Sequence, residues 1–349
     1  MSTLNNNIKG VVLKVLKVLN TRNRDIISRR FGLKDGKRET LESIGQSYGI
    51  TRERVRQIEN ASMKQIKGNL EAGLASLVEP YVNLAGSILE EHGGVMREED
   101  LFQRFSGLGG NTPVNAALVF FLDLNSDFVR EADDEGYHQF WSLNEAQSNS
   151  VKKALGSFAK AFSKKGVITE SEVVNFYNKN VAAKDTAPKF VASLLSISKQ
   201  IGRNSFGQVG LTSWPEIKPR GVRDMAYLVL KRDNKPRHFR EIAELINDQP
   251  GWDKKANVQT VHNELIKDKR FVLVGRGLYA LKEWGFKAGT VKDVIKDIIK
   301  SSSNPLSKNE IVNQVLSHRM VKENTVMLSL QDQKSFTKNN DGTYSLREA

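Results

Sequence analysis

Five polar side chains of the types that read nucleic-acid bases recur with helical spacing after residue 51. They lie at offsets 0, 1, 4, 5 and 8 and so share one helix face: Arg52, Glu53, Arg56, Gln57 and Asn60. In a DNA major groove, arginine pairs with guanine, glutamine or asparagine pairs with adenine, and glutamate accepts from cytosine. This face therefore predicts contacts to base edges. The alternative interpretation is an amphipathic surface helix whose charges are only solvated.

A pair of short helices would position this face. Thr40 can cap the first helix, Gly49 supplies a tight turn, and Thr51 can cap the second helix. Val55 and Ile58 then face inward, opposite the polar side chains. Two helices joined by a glycine-containing turn of three or four residues form a helix-turn-helix. We therefore predict a helix-turn-helix whose second helix presents the five polar residues.

Composition excludes several classes of protein. The chain has 349 residues and a net charge of +13, which favours a polyanionic partner, with nucleic acid first and an acidic membrane surface second. It has no cysteine, which excludes disulfides, thiolate catalysis and zinc sites that use sulfur. Its longest apolar runs, such as residues 116–122, are far below the ~18 residues that span a membrane. Because the first seven residues are polar, we expect no secretion leader and a cytoplasmic, nucleoid-associated protein.

Charge is segregated along the chain. Residues 1–70 carry a net charge of +9, residues 71–147 carry −11, and residues 148–349 carry +15. Since acidic stretches repel phosphate, we expect residues 71–147 to be a spacer or a protein-docking module that does not lie along DNA. The alternative is that the sign of the surface charge has no role there.

Residues 1–70 resemble a known family. The segments 29–33 (RRFGL), 40–45 (TLESIG) and 51–59 (TRERVRQIE) look like the fourth conserved region of housekeeping-type bacterial sigma factors, and the match covers about residues 22–67. The resemblance implies DNA binding at an upstream promoter hexamer and docking on the β flap of bacterial RNA polymerase. Residues 71–349 do not resemble the sigma region that melts promoters. We therefore expect a protein that does not open promoters alone.

The resemblance also implies roles for particular residues. Arg52, Glu53 and Gln57 would read bases, while Arg54 and Arg56 would hold phosphates or flanking positions. We further expect phosphate contacts from Thr51, Arg54, Lys64 and Lys67. The apolar first helix and the neighbourhood of Phe31 would form the polymerase-docking groove, with Leu16, Leu19, Ile27 and Phe31 as its candidate residues.

Residues 79–349 contain a weak internal repeat. Each unit ends in a similar tripeptide at residues 141–143, 209–211, 279–281 and 344–346, with spacings of 68, 70 and 65 residues. Such a unit fits three helices followed by a β-hairpin, which is the winged-helix plan. We predict a mainly α fold with a helix-turn-helix at 1–70 and about four small winged-helix (α+β) units at 71–147, 148–217, 218–286 and 287–349. The alternative is unrelated small α+β domains that share a terminal hairpin by chance.

The third unit carries a second resemblance. Residues 237–246 (RHFREIAELI), 258–268 (VQTVHNELIKD) and 277–281 (GLYAL) are similar to HARE-type winged helices, which occur in the RNA polymerase δ subunit and beside restriction and chromatin proteins. A second DNA surface is expected here, although a protein-binding unit would have a similar sequence. Its candidate residues are Lys254, Lys255, Gln259, His262, Asn263, Lys267, Lys269 and Arg276.

No catalytic constellation is evident. The five histidines are scattered without metal-ligand spacing, and the glycine-rich loop at 107–110 lacks the lysine of a phosphate-binding loop. We therefore expect a DNA-binding transcription factor that is not an enzyme and has no cofactor, metal or small-molecule substrate. Two alternatives are a polymerase-associated interaction subunit or inhibitor, and the DNA-targeting subunit of a restriction or defence system.

Overall fold

The structure is a computed structural model that describes residues 2–182, 186–249, 252, 254–286, 289–302, 304–339 and 341–347, with the backbone alone for residues 2–6 and 72. These residues form two compact bodies. The first body contains residues up to 203 together with 207–213, and the second contains 204–206 and the chain from 214 onward.

Four helices open the first body. They are α1 (Ser2–Leu16), α2 (Thr21–Phe31), α3 (Leu41–Tyr48) and α4 (Arg52–Asn69). Each of the last three begins at a side-chain cap, in which Asn20, Thr40 and Thr51 accept a hydrogen bond from a backbone N–H of the first turn. Ile26, Ile44 and Val55 are fully buried together between α2, α3 and α4. The predicted helix-turn-helix is therefore α3 and α4, with α2 packed behind them.

Two units of the same plan complete the first body. After one π-helical turn at Leu70–Leu74, the first unit contains α5 (Ala75–Glu91), β1 (Val95–Arg97), α6 (Glu98–Ser106), α7 (Pro113–Leu124), β2 (Val129–Glu131) and β3 (Phe140–Ser142). The second unit contains α8 (Glu145–Lys165), β4 (Ile168–Thr169), α9 (Val173–Asn180), α10 (Pro188–Ile197), β5 (Ile201–Arg203) and β6 (Gln208–Leu211). In each unit the last strand lies in the middle of a three-stranded antiparallel sheet, in the orders β1-β3-β2 and β4-β6-β5.

The helix-turn-helix domain and the first of these units share one hydrophobic core. It joins the apolar sides of α1 and α2 to α5 and α7, whose Ala116–Leu122 stretch is buried throughout. The ring of Phe31 meets the ring of Phe120 edge-on, with centroids 5.2 Å apart. Burying a side chain of this size contributes about 1.5–3 kcal/mol. The first unit, which carries the net negative charge of residues 71–147 and is called the acidic unit below, is therefore fixed to the helix-turn-helix by apolar packing.

The second body contains the other two units. One unit comprises α11 (Val222–Asp233), β7 (Arg237–His238), α12 (Phe239–Asn247), α13 (Val258–Lys267), β8 (Phe271–Gly275) and β9 (Leu278–Leu281). The other comprises α14 (Val291–Ser301), β10 (Leu306–Ser307), α15 (Lys308–His318), α16 (Glu323–Leu330), β11 (Phe336–Lys338) and β12 (Thr343–Leu346). Arg319 connects them, since its buried guanidinium donates hydrogen bonds to the carbonyls of Leu273, Val274 and Gly289.

The order helix, strand, two helices and β-hairpin thus occurs four times in the residues that the structure describes. The prediction of a mainly α chain with a helix-turn-helix followed by small α+β units is confirmed. None of the described helices is both long enough and apolar enough to cross a bilayer.

Candidate nucleic-acid interface

The turn before α4 is tightly constrained. Gly49 adopts a left-handed conformation (φ 65°), which glycine tolerates best. A Cβ on Gly45 would lie 2.7 Å from the carbonyl oxygen of Ile50, so α3 approaches the turn closely only because that position has no side chain. The Thr51 hydroxyl then accepts a hydrogen bond from the backbone N–H of Arg54 at 3.2 Å. These contacts fix where α4 starts.

Ion pairs hold α4 and α3 against α2. Arg30 of α2 contacts Glu59 of α4 at 3.2 Å. Arg29 donates to both oxygens of Glu39, each at 2.7 Å, and to the Ser47 hydroxyl. The Arg29 guanidinium holds the pKa of the Glu39 carboxyl below its ordinary value. The five predicted base readers take no part in these contacts, of which the Arg30–Glu59 pair is the one that involves α4.

The predicted base-reading face is open. Arg52, Glu53, Arg56, Gln57 and Asn60 are all exposed on α4, and the opposite face of the helix buries Val55, Ser62 and Ile66. Arg56 donates to both carboxylate oxygens of Glu53 at 2.9 and 2.7 Å. Arg54 donates to the side-chain oxygen of Gln57 at 3.0 Å. The face therefore combines arginine, glutamine, glutamate and asparagine on one α-helix, and a major groove is wide enough to admit an α-helix.

The predicted phosphate contacts have different surroundings. Thr51, Arg54 and Lys64 are exposed, whereas Lys67 is half-buried on the last turn of α4. Lys67 lies near Asp123 of α7, where its charge counteracts the upward effect of burial on the pKa of that carboxyl. The first three residues therefore flank the open face, and Lys67 lies partly against the acidic unit.

The sequence interpretation did not identify a groove beside α4. An open groove of about 670 Å³ lies between the start of α2 and α4, and it is lined by Asn20, Thr21, Arg22, Asn23, Arg54, Gln57, Ile58 and Ala61. It joins the first turn of one helix, whose N–H groups favour anions, to the polar face of another. The Asn20 cap and the adjacent Arg22 were the sequence signals that could have identified it.

The four predicted polymerase-docking residues are almost fully buried. Leu16, Leu19, Ile27 and Phe31 are 1%, 2%, 0% and 8% exposed, within the core that α1 and α2 share with α5 and α7. The expectation of a groove built from these four side chains therefore needs correction. Their apolar character serves the packing of the acidic unit, which the sequence pattern of α1 and α2 alone does not indicate.

A different groove remains open beside that core. It measures about 450 Å³, and its apolar lining includes Val12, exposed Leu13, Leu16 and Ala117. Three cations, Lys9, Arg24 and Lys34, also line it, together with Asp25, which pairs with Lys34 at 2.7 Å. Of the four predicted docking residues, Leu16 lines this groove and the other three do not.

The predicted second DNA surface lies on and around α13. Seven of its eight residues are exposed, namely Lys254, Lys255, Gln259, Asn263, Lys267, Lys269 and Arg276. His262 is half-buried because its ring stacks on Phe239 at 4.4 Å between centroids and meets Tyr279 edge-on. Gln259 donates to Asn263 at 3.2 Å one turn along α13. The structure thus places polar and basic side chains on α13 and on the segments before and after it, while the His262 ring is partly covered by packing.

The described part of the chain contains no cluster of three or more histidine, aspartate or glutamate side chains arranged to hold a metal ion. What it does present is a helix-turn-helix domain with an open polar face on its second helix.

Comparisons with known proteins agree with this class of domain. Residues 15–68 match the family model described as sigma-70, region 4. The RNA polymerase sigma factor SigA of Nostoc sp. is 48% identical over 54 residues, which are 16% of this chain and 14% of that protein. The sigma factor sigB of Arabidopsis thaliana is also 48% identical over 54 residues, covering 9% of its length, and SigA of Clostridium acetobutylicum is 40% identical over 60 residues, covering 16% of its length.

The resemblance of residues 22–67 to sigma region 4 is therefore confirmed. In these three relatives the aligned segment has 54 to 60 residues, and the chain spans less than a fifth of their length.

Proposed function

We propose that this protein is a transcription factor that reads promoter-type DNA through α4. The observation that carries the proposal is the exposure of Arg52, Glu53, Arg56, Gln57 and Asn60 together on the second helix of a helix-turn-helix. The relatives that match this domain are named as RNA polymerase sigma factors, which supports promoter DNA as the ligand. The protein acts in the cytoplasm, at the nucleoid, and has no enzymatic activity of its own.

The groove beside α1 supports a second part of the proposal, which is docking on RNA polymerase. Leu13 is 62% exposed and lies in the apolar lining of this groove beside Val12 and Leu16. Lys34 pairs with Asp25, which also lines the groove, whereas Lys9 and Arg24 have no carboxylate partner among the described residues and favour an apolar segment with an acidic flank. We propose that the β flap of the polymerase binds this groove, in place of the surface formed by Leu19, Ile27 and Phe31.

The third and fourth units extend these contacts in different ways. The exposed cations around α13 favour DNA. In the fourth unit, by contrast, Leu316, Met320 and Leu328 are exposed, which favours a protein partner. This observation supports the alternative that the chain is a polymerase-associated interaction subunit whose later units bind protein.

Footprinting on promoter DNA with and without RNA polymerase tests the proposal. The wild-type chain is expected to protect a defined site alone and to increase polymerase occupancy beside it. Leu13→Asp places a charge in the groove and should abolish the effect on polymerase while the protection by the chain alone persists. Leu108→Asp, at a leucine that is 48% exposed and lies outside this groove, is the matched control and should change neither. Protection that requires polymerase for every variant would support the interaction subunit instead.

A further inference from the structure

The second unit of the first body does not present its third helix to solvent as a DNA-reading unit would. In a DNA-binding winged helix that helix enters the major groove. Here α10 faces the first unit instead, where Lys189 pairs with Glu91 and Ser196 donates a hydrogen bond to Asp100. At the end of α10 the carbonyl of Ile197 accepts from the N–H of His138 at 2.8 Å. This helix is therefore occupied by an internal contact.

The positive charge of this unit lies elsewhere, on its first helix, α8. Lys153, Lys160 and Lys164 are exposed and occur at offsets 0, 7 and 11, which places them in one line along the helix. None of the three makes an ion pair with any residue that the structure describes. No acidic residue occurs between Glu145 and Glu170 in the sequence.

Three other lysines of the same unit are paired with carboxylates. Lys152 contacts Glu131 at 2.8 Å, Lys189 pairs with Glu91, and Lys199 pairs with Asp133. Each of these pairs joins the unit to the acidic unit before it. The line of three free lysines on α8, which we name the lysine stripe, is therefore a separate feature that the packing of the two units does not explain.

The chemistry of the stripe identifies its partner. Gly156 and Ser157 are the exposed residues between Lys153 and Lys160, so no aromatic ring is available there to stack on unpaired bases and no large apolar side chain to enter a bilayer. A row of about 16 Å with three ammonium groups fits a regular polyanion, since duplex DNA carries one charge per ~1.7 Å of its axis. We propose that the lysine stripe of α8 binds the phosphate backbone of double-stranded DNA.

The stripe supplies affinity without sequence preference, because ammonium groups that contact phosphates do not distinguish bases. The inference rests on the proposed DNA-binding function, and it adds a surface that is separate from both α4 and α13. Three lysine contacts correspond to a change of about 2.7 in the slope of log affinity against log salt.

The test compares the full-length chain with the triple variant K153A/K160A/K164A. Alanine favours helix, so the variant should fold. Between 50 and 200 mM salt, the wild type is expected to lose about 40-fold more affinity for a random-sequence duplex than the triple variant loses. The ratio of specific to non-specific affinity should stay the same. The variant K153R/K160R/K164R keeps the charges and should retain the wild-type slope, and Lys179→Ala, an exposed lysine on α9, should change the slope by about 1 at most.

A second measurement locates the contact directly. Because the chain has no cysteine, Ser157→Cys can carry a single iron chelate that cleaves nearby DNA by hydroxyl radicals. Cleavage of duplex DNA is expected from this position but not from Glu135→Cys in the acidic unit. Equal slopes for the wild type and the triple alanine variant, or no cleavage from position 157, would overturn the proposal.

The outcomes separate this proposal from the proposed function. A wild-type chain that binds duplex DNA without sequence preference would contradict base reading by α4, while the slopes would still decide on the stripe. Lysine-dependent binding to phosphatidylserine vesicles or to double-stranded RNA, with no effect on duplex DNA, would also overturn the stripe as a DNA surface.

Discussion

Glu53 and Arg56 form a bidentate ion pair on the exposed face of α4, with N–O distances of 2.9 and 2.7 Å. The guanidinium of Arg56 keeps the pKa of the Glu53 carboxyl below its ordinary value, so the pair stays ionised at neutral pH. Two predicted base readers are therefore paired with each other in the free protein. To contact DNA, Arg56 must exchange the carboxylate for a base or a phosphate.

Glu53→Gln is therefore expected to raise affinity for non-specific DNA. The substitution releases Arg56 and removes one negative charge from the face, so non-specific affinity should rise about two- to fivefold while discrimination between sequences falls. Fluorescence anisotropy with a specific and a scrambled duplex measures both quantities. Glu42→Gln removes an equivalent charge from α3 and should leave discrimination unchanged. Identical behaviour of the two variants would show that the Glu53–Arg56 pair has no particular role.

Phe120→Ala should destabilise the helix-turn-helix although Phe120 lies in the acidic unit. Its ring is fully buried and meets Phe31 of α2, so its loss should cost about 3–5 kcal/mol of unfolding free energy. Urea unfolding followed by tryptophan fluorescence, to which Trp141 of this core contributes, and by DNA binding measures the change. We expect both signals to shift together. Leu13→Ala, at an exposed position, should change neither signal by more than about 0.5 kcal/mol. If Phe120→Ala left the urea midpoint of DNA binding unchanged, the shared core would be contradicted.

Asp123→Asn should change how stability depends on pH. Burial raises the pKa of Asp123 from 3.8 to about 6, opposed by the charges of Arg130, Arg38 and Lys67 and assisted by that of Glu98. Between these two pH values the folded state holds the proton more tightly than the unfolded state, so stability falls as pH rises. The burial of this charge costs at most about 3 kcal/mol above pH 6.

The unfolding free energy of Asp123→Asn is expected to increase relative to that of the wild type as the pH rises from 4 to 6.5. Urea unfolding at several pH values measures the difference. Asp127→Asn makes the same chemical change at an exposed position and should show no such trend. A constant difference between Asp123→Asn and the wild type across this range would exclude the titration of Asp123 as its cause.

Local signals made the candidate site predictable. The Thr51 cap, the turn at Gly49 and the inward position of Val55 each depend on residues within a few positions of one another, and together they determine which face of α4 is exposed. The hairpins were predictable for the same reason, since the turn at Arg276–Gly277 lies directly between its two strands.

Long-range packing was not predictable from these signals. An apolar stripe on α1 and α2 indicates that something covers it, but it does not distinguish a polymerase from α7 of the same chain. The repeat likewise predicts a third helix in the second unit. It does not indicate that Lys189 and Ser196 of this helix contact acidic residues about a hundred positions earlier. Both features depend on how separate units meet, which no local pattern encodes.

Selection of binding sites from random duplex DNA by the full-length chain tests the central claim most directly. The open face of α4 predicts one enriched motif for the wild type. Arg52→Ala and Gln57→Ala should each relax preference at a different position of that motif, by about 1–3 kcal/mol per base pair. The absence of an enriched motif, or a motif that both variants leave unchanged, would contradict base reading by α4.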